Sequence, residues 1–178
     1  MPQAARLFRL AASTLAGAAL LAASAAPCAA APVDPKAAFE RLKSLAGTWQ
    51  GQAGHGPADQ QATVVYRLAS GGTVVQETLF PQTPHEMISM YHLAGGQLVM
   101  THYCAMGNQP RLRLDTAVST PERLVFAFDG GSNFDPAKDG HVHSGVVEWQ
   151  GEALRADWTF WADGKPSNHA VFQLRRSR

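Results

Sequence analysis

His102 and Cys104 stand two residues apart in a run, 97–104, whose alternation reads as a β-strand, so both side chains project from one face. An imidazole and a thiolate placed this way could ligate a soft metal, with Met87, Met100 or Met106 as thioether ligands for Cu(I). No C-x-x-C or H-x-x-x-H spacing accompanies them, and methionine also serves simply to fill core gaps. Pairing 86–93 with 97–104 across Gly95-Gly96 puts Met87, Ser89, Tyr91, Met100, His102 and Cys104 on one face. Glu86, Ile88, Met90, His92, Thr101 and Tyr103 then fall on the other. Both faces mix apolar and polar residues, so either could line a ligand-binding lumen. The candidate wall therefore takes in Glu86, Met90, Tyr91, His92, His102, Tyr103 and Cys104, with Trp158 from a later strand. Asn108 and Gln109, in the tight turn Met106 to Pro110, carry donors and acceptors that could read a ligand's polar end. The competing reading is a core hairpin whose polar tips are hydrogen-bonded.

Other chemistry is weaker. His141 and His143 share a strand face and could join a metal site, but Asp139-Gly140 beside them suggests a turn and a solvated strand start. The loop Asp129 to Gly140 is rich in oxygen ligands but lacks the D-x-D-x-D-G order of a calcium loop. No serine sits in G-x-S-x-G, and Glu77, Glu86 and Glu148 lie on different strands, so no paired carboxylates are evident. Glu86 beside His85 reads as a strand-edge polar pair.

The elements that must position these groups are almost all strands. Alternating runs predict strands near 48–53, 62–68, 73–80, 86–93, 97–104, 111–118, 123–128, 141–149, 153–161 and 168–175. Short turn-rich links join them, such as Ser70-Gly71-Gly72 and Asp163-Gly164-Lys165, which implies an up-and-down meander. A meander of about ten strands removes its exposed edges by closing into a barrel. Parity puts Leu112 and Leu114 on one face, and likewise Leu124, Phe126 and Phe128, then Leu154, Ala156, Trp158 and Phe160, and Ala170, Phe172 and Leu174. One short helix, Lys36 to Ala46, precedes the strands, with Pro35 in its first turn and Gly47 stopping it.

The N-terminus carries a different signal. Arg6 and Arg9, the uncharged stretch Leu10 to Ala23, and Ala23-Ser24-Ala25 follow the order of a secretory signal peptide. The stretch is shorter than the about 20 residues a membrane helix needs, so the mature protein is expected to have no membrane span. The expected organisation is a signal peptide at 1–25, a flexible Ala/Pro-rich leader at 26–35 and one barrel domain at 36–178 in the periplasm or outside the cell. Without Arg6 and Arg9 the 15 Lys+Arg fall to 13 against 14 Asp+Glu, leaving no basic surface for nucleic acid. Cys104 reads as a buried unpaired thiol or, if Cys28 survives cleavage, as its disulfide partner.

Leu45-Ala46-Gly47-Thr48-Trp49, after a helix and opening the first strand, resembles the G-x-W signature of lipocalins and their calycin relatives. That resemblance implies a Trp closing one end of the barrel under a basic residue of the last strand, here Arg175 or Arg176. Thr78 to His92 and Thr101 to Arg111 together resemble a bacterial family of exported lipocalin-like barrels of unknown function. The last strand, His169 to Arg176, and Gly47 to Gly51 are also similar to nitrobindin-like haem barrels, which implies His169 as an iron ligand. The middle of the chain, Pro84 to Pro110, departs from that pattern.

Three functions follow as expectations. The first is a barrel that binds a small apolar or amphipathic ligand without chemistry. The second is a haem or metal protein using His169, His102 or Cys104, and the third a barrel enzyme using the same pocket.

Overall fold

Apolar and polar side chains alternate along this chain between turn residues, and the result is ten antiparallel strands wound into one closed barrel. The computed structural model describes residues 31–54 and 59–177. The expected signal peptide, the first half of the expected leader and Cys28 lie outside the described residues.

A helix, α1 (Pro35–Lys43), comes first, then β1 (Gly47–Gly54), β2 (Asp59–Ala69), β3 (Val74–Leu79), β4 (Met87–Ala94) and β5 (Gln97–Tyr103). The second half is β6 (Gln109–Leu114), β7 (Arg123–Ser132), β8 (His141–Gln150), β9 (Ala153–Ala162) and β10 (Lys165–Arg176). Each strand pairs with its sequence neighbours, and β1 pairs with both β2 and β10, which closes the sheet. The hairpin β4–β5 turns on Gly95 and Gly96, whose φ of 55° and 79° are the left-handed pair a tight two-residue turn requires. Among the described residues no helix is long and apolar enough to cross a membrane.

All ten expected strands are present, with shifted ends. β6 starts at Gln109 rather than 111 because Gln109 and Pro110 pair with Ser132 and Gly131 of β7, ahead of a register shift between Pro110 and Leu112. It stops at Leu114 because Asp115 turns the chain, accepting from the backbone N–H of Ala117 through its side chain and of Ser119 through its carbonyl. The helix ends three residues early, where Ser44 bonds back to the Arg41 carbonyl at 2.6 Å.

Packing orients the barrel. Ala38, Phe39 and Leu42 bury one face of α1 against β4 and β5, and Asp34 caps its first turn. At that end Trp49 donates from Nε1 to the Leu45 carbonyl at 2.8 Å. The Arg176 guanidinium lies 4.7 Å from the Trp49 ring centroid and donates to the carbonyls of Ser44 and Ala46. Of the two expected arginines, Arg176 covers the tryptophan. The opposite end carries the loops after β3, β5, β7 and β9.

Candidate functional site

Strand parity now decides which face of the β4–β5 hairpin is inside. Ser89, Tyr91, Met100 and His102 are buried in the barrel, continuous with Val64, Tyr66, Val75, Glu77 and Leu79. The register sets four polar residues side by side across four strands. Tyr66 of β2 pairs with Glu77 of β3, Glu77 with Ser89 of β4, and Ser89 with His102 of β5. They form one continuous row inside the barrel.

Hydrogen bonds run along this row. Glu77, fully buried, accepts from the Tyr66 hydroxyl at 2.5 Å on Oε1 and from the Tyr91 hydroxyl at 3.1 Å on Oε2. Ser89 stands directly opposite Glu77 across the β3–β4 ladder, and its hydroxyl oxygen lies 3.1 Å from His102 Nδ1. His102 Nε2 is buried with no hydrogen-bond partner. The indole N–H of Trp158, on the inner face of β9, is likewise buried and unpaired. Buried polar atoms are nearly always satisfied, and one left alone costs about 1–3 kcal/mol.

Burial governs the ionisation of the row. It pushes the Glu77 carboxyl above its ordinary range, although the donors from Tyr66, Ser89 and Tyr91 pull the other way. It also pushes the hydroxyls of Tyr66 and Tyr91 well above 10.0, helped by the charge of Glu77, so both stay neutral donors. Burial lowers His102 from 6.5 to about 4, which keeps the imidazole neutral across the ordinary pH range.

The remaining interior is lined by apolar side chains. Tyr91 meets Phe126 of β7 edge-on with centroids 5.7 Å apart, and Leu98, Met100, Leu112 and Leu124 are all completely buried. Gly145 of β8 is required where it stands: a Cβ there would come within 2.0 Å of the Trp158 ring. Phe80, in the loop after β3, lies 5.7 Å from Phe172 of β10 and joins the edge of the core.

Of the ten residues expected to line a pocket, Tyr91, His102 and Trp158 face the interior. Met90 and His92 alternate with them and stand on the outer face of β4, while Tyr103 is 49% exposed on the outside of β5. Glu86 is exposed in the loop before β4, where it accepts from the Gln82 N–H. Cys104 is a half-buried free thiol just past the end of β5. Asn108 is buried but donates to the Gly140 carbonyl at 2.7 Å, and Gln109 accepts from Ser132 and Asn133. Both therefore clamp the β5–β6 turn to the β7–β8 loop. Tyr66 and Glu77 were absent from that set. The available signal was a carboxylate at Glu77 between Val75 and Leu79, on the apolar parity of its strand.

The metal and haem candidates do not converge. His169 is exposed on the outer face of β10, next to the inward Ala170, so it cannot hold a haem within the lumen. Met106 is 65% exposed while Met100 is fully buried, so the thioethers do not gather around His102. Among the described residues no three His, Cys, Asp or Glu side chains come together as a metal-binding group.

His141 and His143 are not a solvated strand start. Phe128, Phe134 and Trp161 cover them, with His143 stacked 3.8 Å from Trp161 and 4.6 Å from Phe128, and His141 is fully buried. The register shift between Val142 and Ser144 provides the local bend in β8.

Compared with known proteins, the chain matches no family model and no curated sequence. The closed ten-strand antiparallel barrel is compatible with a lipocalin-like fold.

Proposed function

We propose that this barrel is an exported binding protein, periplasmic or secreted, for a small apolar or amphipathic molecule held inside the strands. The observation that carries the reading is the pair of buried, unpartnered polar atoms on inward side chains: His102 Nε2 and Trp158 Nε1. A mostly apolar interior with a few oriented polar groups is the usual composition of a small-molecule site. The sequence order of Arg6, Arg9, Leu10 to Ala23 and Ala25 supports export. The lipocalin-like reading rests on Gly47-Thr48-Trp49 together with the Arg176 cover over Trp49. The residues that bind are then His102, Trp158 and the apolar side chains around them, rather than the outward members of the hairpin.

Native mass spectrometry of the protein purified from its own cells tests this, together with uptake of a solvatochromic hydrophobic probe. A bound small molecule, or probe uptake weakened in His102→Ala and Trp158→Phe, is expected. A protein that carries nothing and admits no probe would make the interior a filled core and overturn the reading.

A further inference from the structure

The row beside His102 does more than support it. Ser89 has one hydroxyl hydrogen and three groups around it that could take it: the Glu77 carboxylate directly opposite on β3, the Tyr91 hydroxyl, and His102 Nδ1 at 3.1 Å. A hydrogen bond to an ionised acceptor is about twice as strong as one between neutral groups, so an ionised Glu77 takes that hydrogen. Ser89 Oγ is then left as an acceptor, and it must be met by a hydrogen on His102 Nδ1. A neutral imidazole carries only one N–H, so Nε2 becomes a bare lone pair facing the interior.

We propose that Glu77, acting through Ser89, fixes the hydrogen-bonding sense of His102 Nε2, so that the barrel selects a neutral head group that donates a hydrogen bond, a hydroxyl or an amide N–H. The proposal rests on the binding function set out above. Trp158 Nε1 can only donate, so an acceptor on the ligand satisfies it. A hydroxyl and a primary amide each carry both kinds of group, whereas an ester or ether carries acceptors alone.

Protonation inverts the arrangement. A protonated Glu77 no longer draws the Ser89 hydrogen, which passes to His102 Nδ1 and leaves the imidazole hydrogen on Nε2. The barrel then favours a head group that accepts. The titratable groups facing Glu77 are Tyr66 from β2, Tyr91 from β4 and, through Ser89, His102 from β5. The tyrosines stay neutral throughout, and His102 stays neutral above about 4, so the carboxyl is the group in this set that changes.

Two measurements on the full mature protein test this. The first is the imidazole nitrogen-15 spectrum of His102, in wild type and in Ser89→Ala, at mildly alkaline pH. Wild type is expected to carry its hydrogen on Nδ1, and Ser89→Ala to lose that preference. A wild-type His102 protonated on Nε2 at that pH would overturn the relay whether or not any ligand binds. The second compares a medium-chain primary alcohol with the ether of matching length. Wild type should favour the alcohol by about tenfold, and Ser89→Ala should bind both with little preference. Equal binding of the two by wild type would overturn the head-group selection and leave the binding function standing. Failure of both to bind, beside the expected nitrogen spectrum, would overturn the binding function and the selection built on it while leaving the relay.

Discussion

Ser89 and His102 face each other across the β4–β5 ladder with the serine Oγ 3.1 Å from Nδ1, the last link in a row that begins at Tyr66. The imidazole is thereby tied to a carboxylate two strands away without touching it. Their opposed ionisation gives the first prediction.

Glu77 titrates higher in the folded chain than in the unfolded one, so folding takes up a proton between the two values, and stability falls as pH rises through that interval. His102 is held at about 4, below its ordinary 6.5, so folding releases a proton between those values, and stability falls as pH drops through them. Urea unfolding measured across pH should show Glu77→Gln losing the first slope. His102→Gln should lose the second, worth about 3 kcal/mol in full. A His102→Gln protein with the wild-type acid slope would contradict the buried neutral imidazole.

The two tyrosines serve the carboxylate unequally. Tyr66 donates at 2.5 Å and Tyr91 at 3.1 Å, so Tyr66→Phe should cost about 2–3 kcal/mol and Tyr91→Phe about 1 kcal/mol. Glu77→Leu leaves both hydroxyls without their acceptor and should exceed either single change. Denaturant unfolding near neutral pH checks the order.

Gly145 makes room for the Trp158 ring. Gly145→Ala places a methyl 2.0 Å from that ring and should destabilise by roughly 2–3 kcal/mol, with an altered near-ultraviolet tryptophan signal. Adding Trp158→Leu should recover part of the loss, since the two effects share one space.

Arg176 and Arg175 are neighbours with different duties. Arg176→Gln removes the cover over Trp49 and two carbonyl partners and should cost about 1–2 kcal/mol. Arg175→Gln, on an exposed side chain, should change stability by no more than about 0.5 kcal/mol. Equal effects would mean the guanidinium cover contributes nothing particular.

The ten strands and their order were readable because period-two alternation and glycine-rich turns are local signals. The inner face of the β4–β5 hairpin was not, since Tyr91 and His102 on one side and His92 and Tyr103 on the other give parity no contrast. The polar row was harder still. Tyr66, Glu77, Ser89 and His102 are each 11 to 13 residues from the next, and only the register of three successive ladders makes them neighbours. His141 misled for a different reason: the turn beside it signals solvent, but Phe134, brought back by the intervening loop, covers it.

The pairing of β1 with β10 has its own consequence for the order of events in folding. Trp49 and Arg176, partners in that seam, come from opposite ends of the domain. Strands β1 to β9 can join their sequence neighbours without β10, but until β10 is available both β1 and β9 keep an unpaired edge open to other chains. The barrel thus has no independently finished half. A chain cut before β10 is expected to aggregate rather than persist as a smaller domain.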